Sequence, residues 1–134
     1  MTGRVIFLLE EPSMKILLDG FLPRLIPGWV EGEHFTLIRL VCQELESWYV
    51  GDLQSLALAF DDPKLDAPAL RKRFSVPDDW QKPSAELSRL IPTFQKGSGA
   101  RAMSAHLRGA HNRSKSFQVF VEGVQRIATE MPCE

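Results

Sequence analysis

The stretch that decides the predicted fold is residues 5–29, VIFLLEEPSMKILLDGFLPRLIPGW. Its opening run VIFLL is apolar and partly β-branched, and two glutamates end it, which predicts a short buried strand. Ser13 is a good N-cap residue, and apolar residues follow it at helical spacing until Pro27 and Gly28. The stretch therefore predicts a strand, a tight turn and an amphipathic helix, which is half of a βαβ unit.

A second strand is predicted over residues 36–42, TLIRLVC. A parallel pairing with the first strand through the intervening helix would have the usual right-handed crossover. A further helix is predicted to begin within residues 44–50, and Asp52 is the expected N-cap of the helix after it. These patterns predict an α/β fold with a short parallel sheet.

The rest of the chain predicts helices and one long connection. Residues 61–83 are rich in Pro, Asp and Lys without a sustained period, which predicts an irregular segment with one helical turn near residues 69–74. Helices are predicted over three later segments: 84–90, 100–107 and 116–129. We therefore divide the chain into an α/β core, residues 1–60, and a loop-rich helical extension, residues 61–134, packed on that core.

Composition indicates an ordinary globular domain. The chain has 134 residues, of which 44% are apolar and 25% charged. Cys42 and Cys133 show no metal-binding or redox spacing, and two free thiols fit a reducing compartment. No apolar run approaches the ~20 residues that cross a bilayer, and the N-terminal run is too short for a signal peptide. We expect a cytoplasmic protein without membrane contact.

Charge is unevenly distributed, although the net charge is only −1. Residues 87–121 contain no Asp or Glu but carry six Arg and Lys side chains and two histidines. This asymmetry indicates a basic surface that could bind the phosphates of DNA or RNA. The alternative is a solvated face that the acidic remainder of the chain balances.

Acidic residues follow both predicted strands. Glu10 ends the first strand just before a helix, and Glu44 and Glu46 follow the second. Ligands and catalytic groups gather at the carboxyl edge of parallel sheets, so these side chains fit metal coordination or acid–base work. A charged strand end that faces water is the alternative.

A glycine-rich stretch, KGSGAR at residues 96–101, precedes a predicted helix. Backbone N–H groups of such a loop can bind an anion, and Lys96 and Arg101 would add positive charge, with Ser98 between them. The order of residues is not that of a P-loop. We therefore interpret the stretch as a weak candidate for phosphate binding.

Four segments, taken together, resemble a known protein family. They are residues 5–29, 38–52, 95–101 (QKGSGAR) and 112–117 (NRSKSF). The family is the TOPRIM-like domain of unknown function 4276 family, which is OLD-like and RloB-like. The resemblance implies a Rossmann-like (TOPRIM-like) parallel sheet with a helical C-terminal part. TOPRIM domains hold Mg²⁺ with a first-strand glutamate, which Glu10 matches, and a later Asp-x-Asp pair. Glu44 and Glu46 match the family's Glu-x-Glu before an aromatic pair.

The resemblance also implies a function and partners. It predicts a Mg²⁺-dependent nuclease or nucleic-acid-processing factor of phage-defence or DNA-repair type. The predicted catalytic residue is Glu10, and the predicted metal ligands are Glu10, Glu44 and Glu46. The predicted phosphate contacts are Lys96, Ser98, Arg101 and Arg113. A partner AAA ATPase is implied by analogy. A non-catalytic module that binds such an ATPase or nucleic acid is the alternative.

The chain departs from the family pattern in one place. The middle segment that carries the Asp-x-Asp strand is absent, because His34 and Phe35 run directly into the second predicted strand. Mg²⁺ needs several oxygen ligands, so the remaining glutamates predict a weak site at most. A shortened sheet would expose apolar side chains to a partner, which predicts a homo-oligomer. These side chains are Leu17, Leu18, Phe21 and Trp29.

Overall fold

The computed structural model of the chain describes residues 7–8, 12–26, 28, 38–39, 45–108 and 111–130. The elements in these ranges are mostly helical. The α-helices are α1 (Pro12–Leu25), α2 (Glu46–Val50), α3 (Leu53–Ala59), α4 (Pro68–Arg73), α5 (Pro83–Leu90), α6 (Lys96–His106) and α7 (Lys115–Glu130). Two 3₁₀ turns, Pro63–Asp66 and Pro77–Asp79, flank α4, and the strands are β1 (Phe7–Leu8) and β2 (Ile38–Arg39).

The predicted α/β fold with a Rossmann-like sheet is wrong, because helices make up most of the described chain. β1 and β2 run parallel, as predicted for these two segments, with Phe7 opposite Ile38 and Leu8 opposite Arg39. Within the described residues, each strand contributes two residues. A pair this short cannot be the central layer of a doubly wound fold, and the helices instead pack on one another.

The core lies between helices from both ends of the chain. Trp48 of α2 stacks on Phe120 of α7 at 5.1 Å between ring centroids and meets Phe117 edge-on at the same distance. Phe21 of α1 approaches Phe117 at 5.5 Å. Buried residues from both predicted parts of the chain belong to one apolar cluster. The division into residues 1–60 and 61–134 stays a prediction.

α1 and α6 lie side by side and run in the same direction. Gly97 lies near Ile16, whereas Gly20, one turn further along α1, lies against Ser104. A Cβ atom at position 20 would lie 2.3 Å from the Ser104 hydroxyl oxygen, so this close approach requires glycine. Arg24 donates to the carbonyl of Ser104 at 2.7 Å. Gly20 has a low helix propensity, but it permits the close packing of α1 on α6.

The helix predictions are largely confirmed. The predicted face of α1 is buried, and Asp52 caps α3 by accepting a hydrogen bond from the Ser55 amide. α5 and α7 also lie where they were predicted, and Phe117, Phe120, Val121 and Val124 are buried on one face of α7. Periodic apolar residues identified these helices because tertiary packing uses one face of each.

Two segments are more regular than predicted. Residues 61–83 contain α4 and both 3₁₀ turns, and they bury Leu65 and Phe74 in the core. α6 begins at Lys96, so the glycine-rich stretch forms the first turn of a helix and not a loop before it. Gly99 is required there because a Cβ atom would lie 2.3 Å from the ring of Phe94.

The apolar face of α1 is covered within the chain. Leu17, Leu18 and Phe21 are all buried. The exposure from which a homo-oligomer was inferred is therefore absent at these three residues, and oligomerisation stays a prediction without that support. Within the ranges that the structure describes, no helix has both the length and the apolar character needed to cross a membrane.

Candidate functional site

Two segments that stood out in the sequence contact each other directly. Asn112 is buried and donates from Nδ2 to the Trp48 carbonyl at 2.7 Å, and its Oδ1 accepts from the Ser114 amide at 2.9 Å. The Arg113 amide donates to the Gly51 carbonyl at 2.9 Å. The α2–α3 junction thus holds the segment before α7 in a defined position.

Gly51 makes this contact possible. A Cβ atom at this position would lie 2.3 Å from Asn112 Oδ1 and 3.0 Å from the Ser114 amide nitrogen. The backbone of Gly51 has a right-handed helical conformation, with φ at −74°. Space, and not conformational freedom, therefore explains the glycine.

Asp78 joins the same network from the second 3₁₀ turn. Its two carboxylate oxygens accept from the Ser114 hydroxyl at 2.6 Å and from the Ser116 amide at 2.8 Å. Trp48 Nε1 donates to the Ser116 hydroxyl at 2.9 Å. A carboxylate beside the first amides of α7 is favourable, because the helix dipole is positive there.

Asp52 is the buried acid of the junction. Its oxygens accept from the Ser55 amide at 3.1 Å, from the Ser55 hydroxyl at 2.6 Å and from the Arg108 amide at 3.1 Å. The Ser55 hydroxyl also approaches the His106 carbonyl at 2.7 Å. The carboxylate thus connects α3 to the end of α6, and its hydrogen bonds offset the cost of burial.

A pocket of about 280 Å³ opens beside this network. Residues 50–54 form one wall, Asp66 and Arg71 a second, and His111 and Arg113 a third. Arg71 donates to Asp66 through Nε at 2.8 Å and Nη2 at 2.7 Å, in a bidentate ion pair. Arg113 Nη1 donates to the Arg71 carbonyl at 2.8 Å. Two of the three walls therefore contain an arginine.

The two arginines of the pocket lower the pKa of Asp66. The hydrogen bonds from Arg71 lower the pKa of Asp66 below its ordinary value of 3.8, against the effect of burial, and the charges of Arg71 and Arg113 lower it further. The same hydrogen bond raises the pKa of Arg71. Asp66 is therefore ionised at neutral pH, and it offsets one of the two guanidinium charges.

The predicted acidic site is described only at Glu46. This residue begins α2 and is 1% exposed. Glu10 and Glu44 lie outside the described residues, so their distances to Glu46 are not defined. Within the described part of the chain, no cluster of three or more His, Cys, Asp or Glu side chains is placed to hold a metal ion. The metal-ligand assignment stays a prediction.

The predicted phosphate contacts fall into two places. Arg113 lines the pocket, whereas Lys96 and Ser98 lie in the first turn of α6 and Arg101 lies exposed in the second turn of that helix. The other end of α6, at His106, contacts the junction through Ser55. Ten residues of helix separate Lys96 from His106, which corresponds to about 15 Å. Lys96 and Ser98 therefore do not share the pocket with Arg113.

Sequence inspection missed three residues of the site: Asp66, Arg71 and Asp78. All of them lie in the segment that lacks a hydrophobic period. Arg71 and Asp78 act on residues 42 and 36 positions away. The sequence offered a signal for the first 3₁₀ turn alone. Asp62 directly precedes Pro63, and Asp66 follows three residues later, a pattern that is typical of capped turns.

Comparison with known proteins gives one match. The model of a protein family described as Domain of unknown function (DUF4276) matches residues 25–125, which include the α2–α3 junction and the segment before α7. No curated protein and no solved structure matches the chain significantly. The chain belongs to the DUF4276 family.

Proposed function

We propose that the chain binds nucleic acid through a basic rim, defined as Arg71, Arg108, His111, Arg113 and Lys115, around and beside the pocket. All five side chains are solvent-accessible. The observation that carries the proposal is the absence of ion pairs for Arg108, Arg113 and Lys115 within the described residues. The two acids of the pocket, Asp52 and Asp66, already have donors.

The chemistry of the rim suits phosphates. A guanidinium group offers a planar fork of donors that matches phosphate oxygens, and a lysine adds a mobile charge. The rim also lies within the acid-free residues 87–121, apart from Arg71. The acids that the fold brings beside the rim are Asp52, Asp66 and Asp78, and each accepts hydrogen bonds from the protein, which reduces their repulsion of an anionic polymer.

A salt titration tests the proposal. Binding of labelled single-stranded DNA, duplex DNA and RNA is measured by anisotropy at several salt concentrations. The triple variant Arg108→Gln/Arg113→Gln/Lys115→Gln should reduce the slope of log affinity against log salt by about 2–3, because each lost phosphate contact removes 0.7–0.9.

Arg126→Gln is the matched control. Arg126 is exposed on α7, and eleven residues of helix, about 16 Å, separate it from Lys115. It should bind as the parent does. A parent protein whose affinity is weak and independent of salt for all three nucleic acids would contradict the proposal.

A Mg²⁺-dependent nuclease is the second candidate, and it is supported by the TOPRIM-like resemblance. The specific observation is the carboxyl group of Glu46, which lies in the core at the start of α2. Buried ionisable groups are costly and are concentrated at functional sites. The predicted ligands are Glu10, Glu44 and Glu46, and the predicted catalytic residue is Glu10.

The nuclease candidate is tested by nicking of supercoiled plasmid with Mg²⁺ or Mn²⁺. Glu10→Gln and Glu44→Gln should abolish metal-dependent nicking, whereas Glu122→Gln, on the exposed surface of α7, should not. Equal nicking by all variants would show that a contaminant or another site cleaves the plasmid. The implied AAA ATPase partner is tested separately, by co-purification of the two chains.

A further inference from the structure

Arg113 lines the pocket, and most N–H groups of its guanidinium make no hydrogen bond to the described residues. One nitrogen of its guanidinium donates to the Arg71 carbonyl at 2.8 Å. Within the described residues, its other N–H groups have no hydrogen-bond acceptor and no ion pair. Arg71 differs because its charge is paired: Nε and Nη2 each donate one hydrogen bond to Asp66. Among the described residues, Arg113 is therefore the arginine of the pocket without an ion pair, and the His111 ring lines the same wall.

Arg113 is held in place from its backbone outward. Its amide donates to the Gly51 carbonyl, and its two chain neighbours, Asn112 and Ser114, are buried and hydrogen-bonded. The contact with the Arg71 carbonyl then fixes the guanidinium itself. A side chain that is ordered before binding loses little conformational entropy when a ligand arrives, which favours affinity.

The arrangement of charges in the pocket favours an anion at the Arg113 wall. Arg71 and Arg113 carry +2 and Asp52 and Asp66 carry −2, so the four charged lining residues sum to zero. Asp52 is 4% exposed and its oxygens accept hydrogen bonds within the fold, whereas Asp66 is paired with Arg71. A phosphate at the Arg113 wall would face the guanidinium of Arg113 and the imidazole of His111.

The size of the pocket restricts what can enter. Its volume of about 280 Å³ is close to the lower limit of roughly 300 Å³ for small-molecule sites. A concave site of this size accepts the end of a chain or a single small molecule.

We infer that this pocket is a subsite for a phosphate monoester, with Arg113 as the main contact and His111 as a second donor. The inference rests on the proposed nucleic-acid binding and names the group that the pocket selects. The same chemistry occurs at the phosphorylated end of a strand and in a free mononucleotide.

Matched oligonucleotides test the inference. One single-stranded sequence is prepared with a 5′-phosphate, with a 3′-phosphate and with neither, and binding is measured for each. The parent should bind one phosphorylated form at least about tenfold more tightly, the effect of one hydrogen-bonded charge pair. Arg113→Lys should lose this preference, because lysine keeps the charge but lacks the guanidinium fork. Arg126→Gln should keep it.

The outcomes separate the two sources and the two proposals. If AMP displaces the phosphorylated strand and adenosine does not, the pocket takes the mononucleotide itself, whereas displacement by neither assigns it to strand ends. Equal affinity for all three strands would overturn the subsite and leave nucleic-acid binding intact. Binding of none of them would overturn both proposals. Circular dichroism of the Arg113→Lys variant establishes that it is folded.

Discussion

Residues 112–116 have an inward face that is buried and hydrogen-bonded and an outward face that is exposed and basic. Asn112 and Ser114 are 3% and 0% exposed, and their side chains bind the α2–α3 junction and Asp78. Arg113 and Lys115 alternate with them and are exposed. Asn112 and Ser114 do not line the pocket, yet their hydrogen bonds position the backbone that carries Arg113.

This difference predicts two kinds of variant. Changes on the inward face should reduce the free energy of unfolding, because they leave buried polar groups without partners. Changes on the outward face should reduce affinity for phosphate-bearing ligands and leave stability almost unchanged. A variant that affects both equally would show that the two faces are not independent.

The largest effect is expected for Gly51→Ala. The added methyl group would lie 2.3 Å from Asn112 Oδ1, so the segment must move away and lose its hydrogen bonds to the junction. We expect a loss of about 3 kcal/mol in the free energy of unfolding, measured by urea denaturation. Gly123→Ala is the control, since nothing lies within 4 Å of a Cβ atom there.

Coupling between the two positions sharpens this test. In the double variant Gly51→Ala/Asn112→Ala, the nearest obstacle to the methyl group is gone. The combined loss should therefore be smaller than the sum of the two single losses, by about 1 kcal/mol. Simple additivity would mean that the Asn112 side chain is not what excludes a methyl group from position 51.

A loss of about 2 kcal/mol is expected for Asp78→Ala. The Ser114 hydroxyl and the Ser116 amide would lose a charged acceptor at the start of α7. Faster amide hydrogen exchange in the first turn of α7 should accompany the loss. Asp79→Ala removes the neighbouring exposed carboxylate and should change the free energy of unfolding little. Equal losses in both variants would point to general charge effects.

The inward face was partly predictable from the sequence. Asp52 was identified as a helix N-cap, which is a local interaction with Ser55 three residues away. The segments that contain Trp48 and Asn112 were both among the four that resemble the family. Their contact was not predictable, because 64 residues separate the two partners and a hydrogen bond leaves no periodic signal.

The fold class was not predicted correctly, for a related reason. Short apolar, β-branched runs such as those around Phe7 and Ile38 are typical of strands, and these two residues do pair. The error was to extend that pair into a sheet. The packing that defines the described fold, α1 along α6, depends on small residues such as Gly20 and Ser104, which resemble weak points when each helix is considered alone.

On the outward face, Arg113→Gln should leave stability unchanged to within about 0.5 kcal/mol. Its guanidinium is exposed, and its one side-chain hydrogen bond is to a solvent-accessible carbonyl. The affinity for a phosphate-ended strand should fall in the same variant. Thermal and urea unfolding measured beside the binding assay would check this separation. A clear loss of stability would mean that the side chain supports the fold and is not held ready for a ligand.

The smallest expected effect is the pH dependence of the Asp66–Arg71 pair. The folded-state pKa of Asp66 lies below its ordinary value of 3.8, so the carboxylate stabilises the fold above that value. This contribution is lost as the pH falls through the lower, folded-state pKa. Asp66→Asn should therefore have a slightly lower free energy of unfolding than the parent near neutral pH. This difference between variant and parent, the gap, should close on acidification. Urea denaturation across this range, with Asp79→Asn as control, measures the gap. A gap that widens in acid would mean that Asp66 is not stabilised as an anion by Arg71.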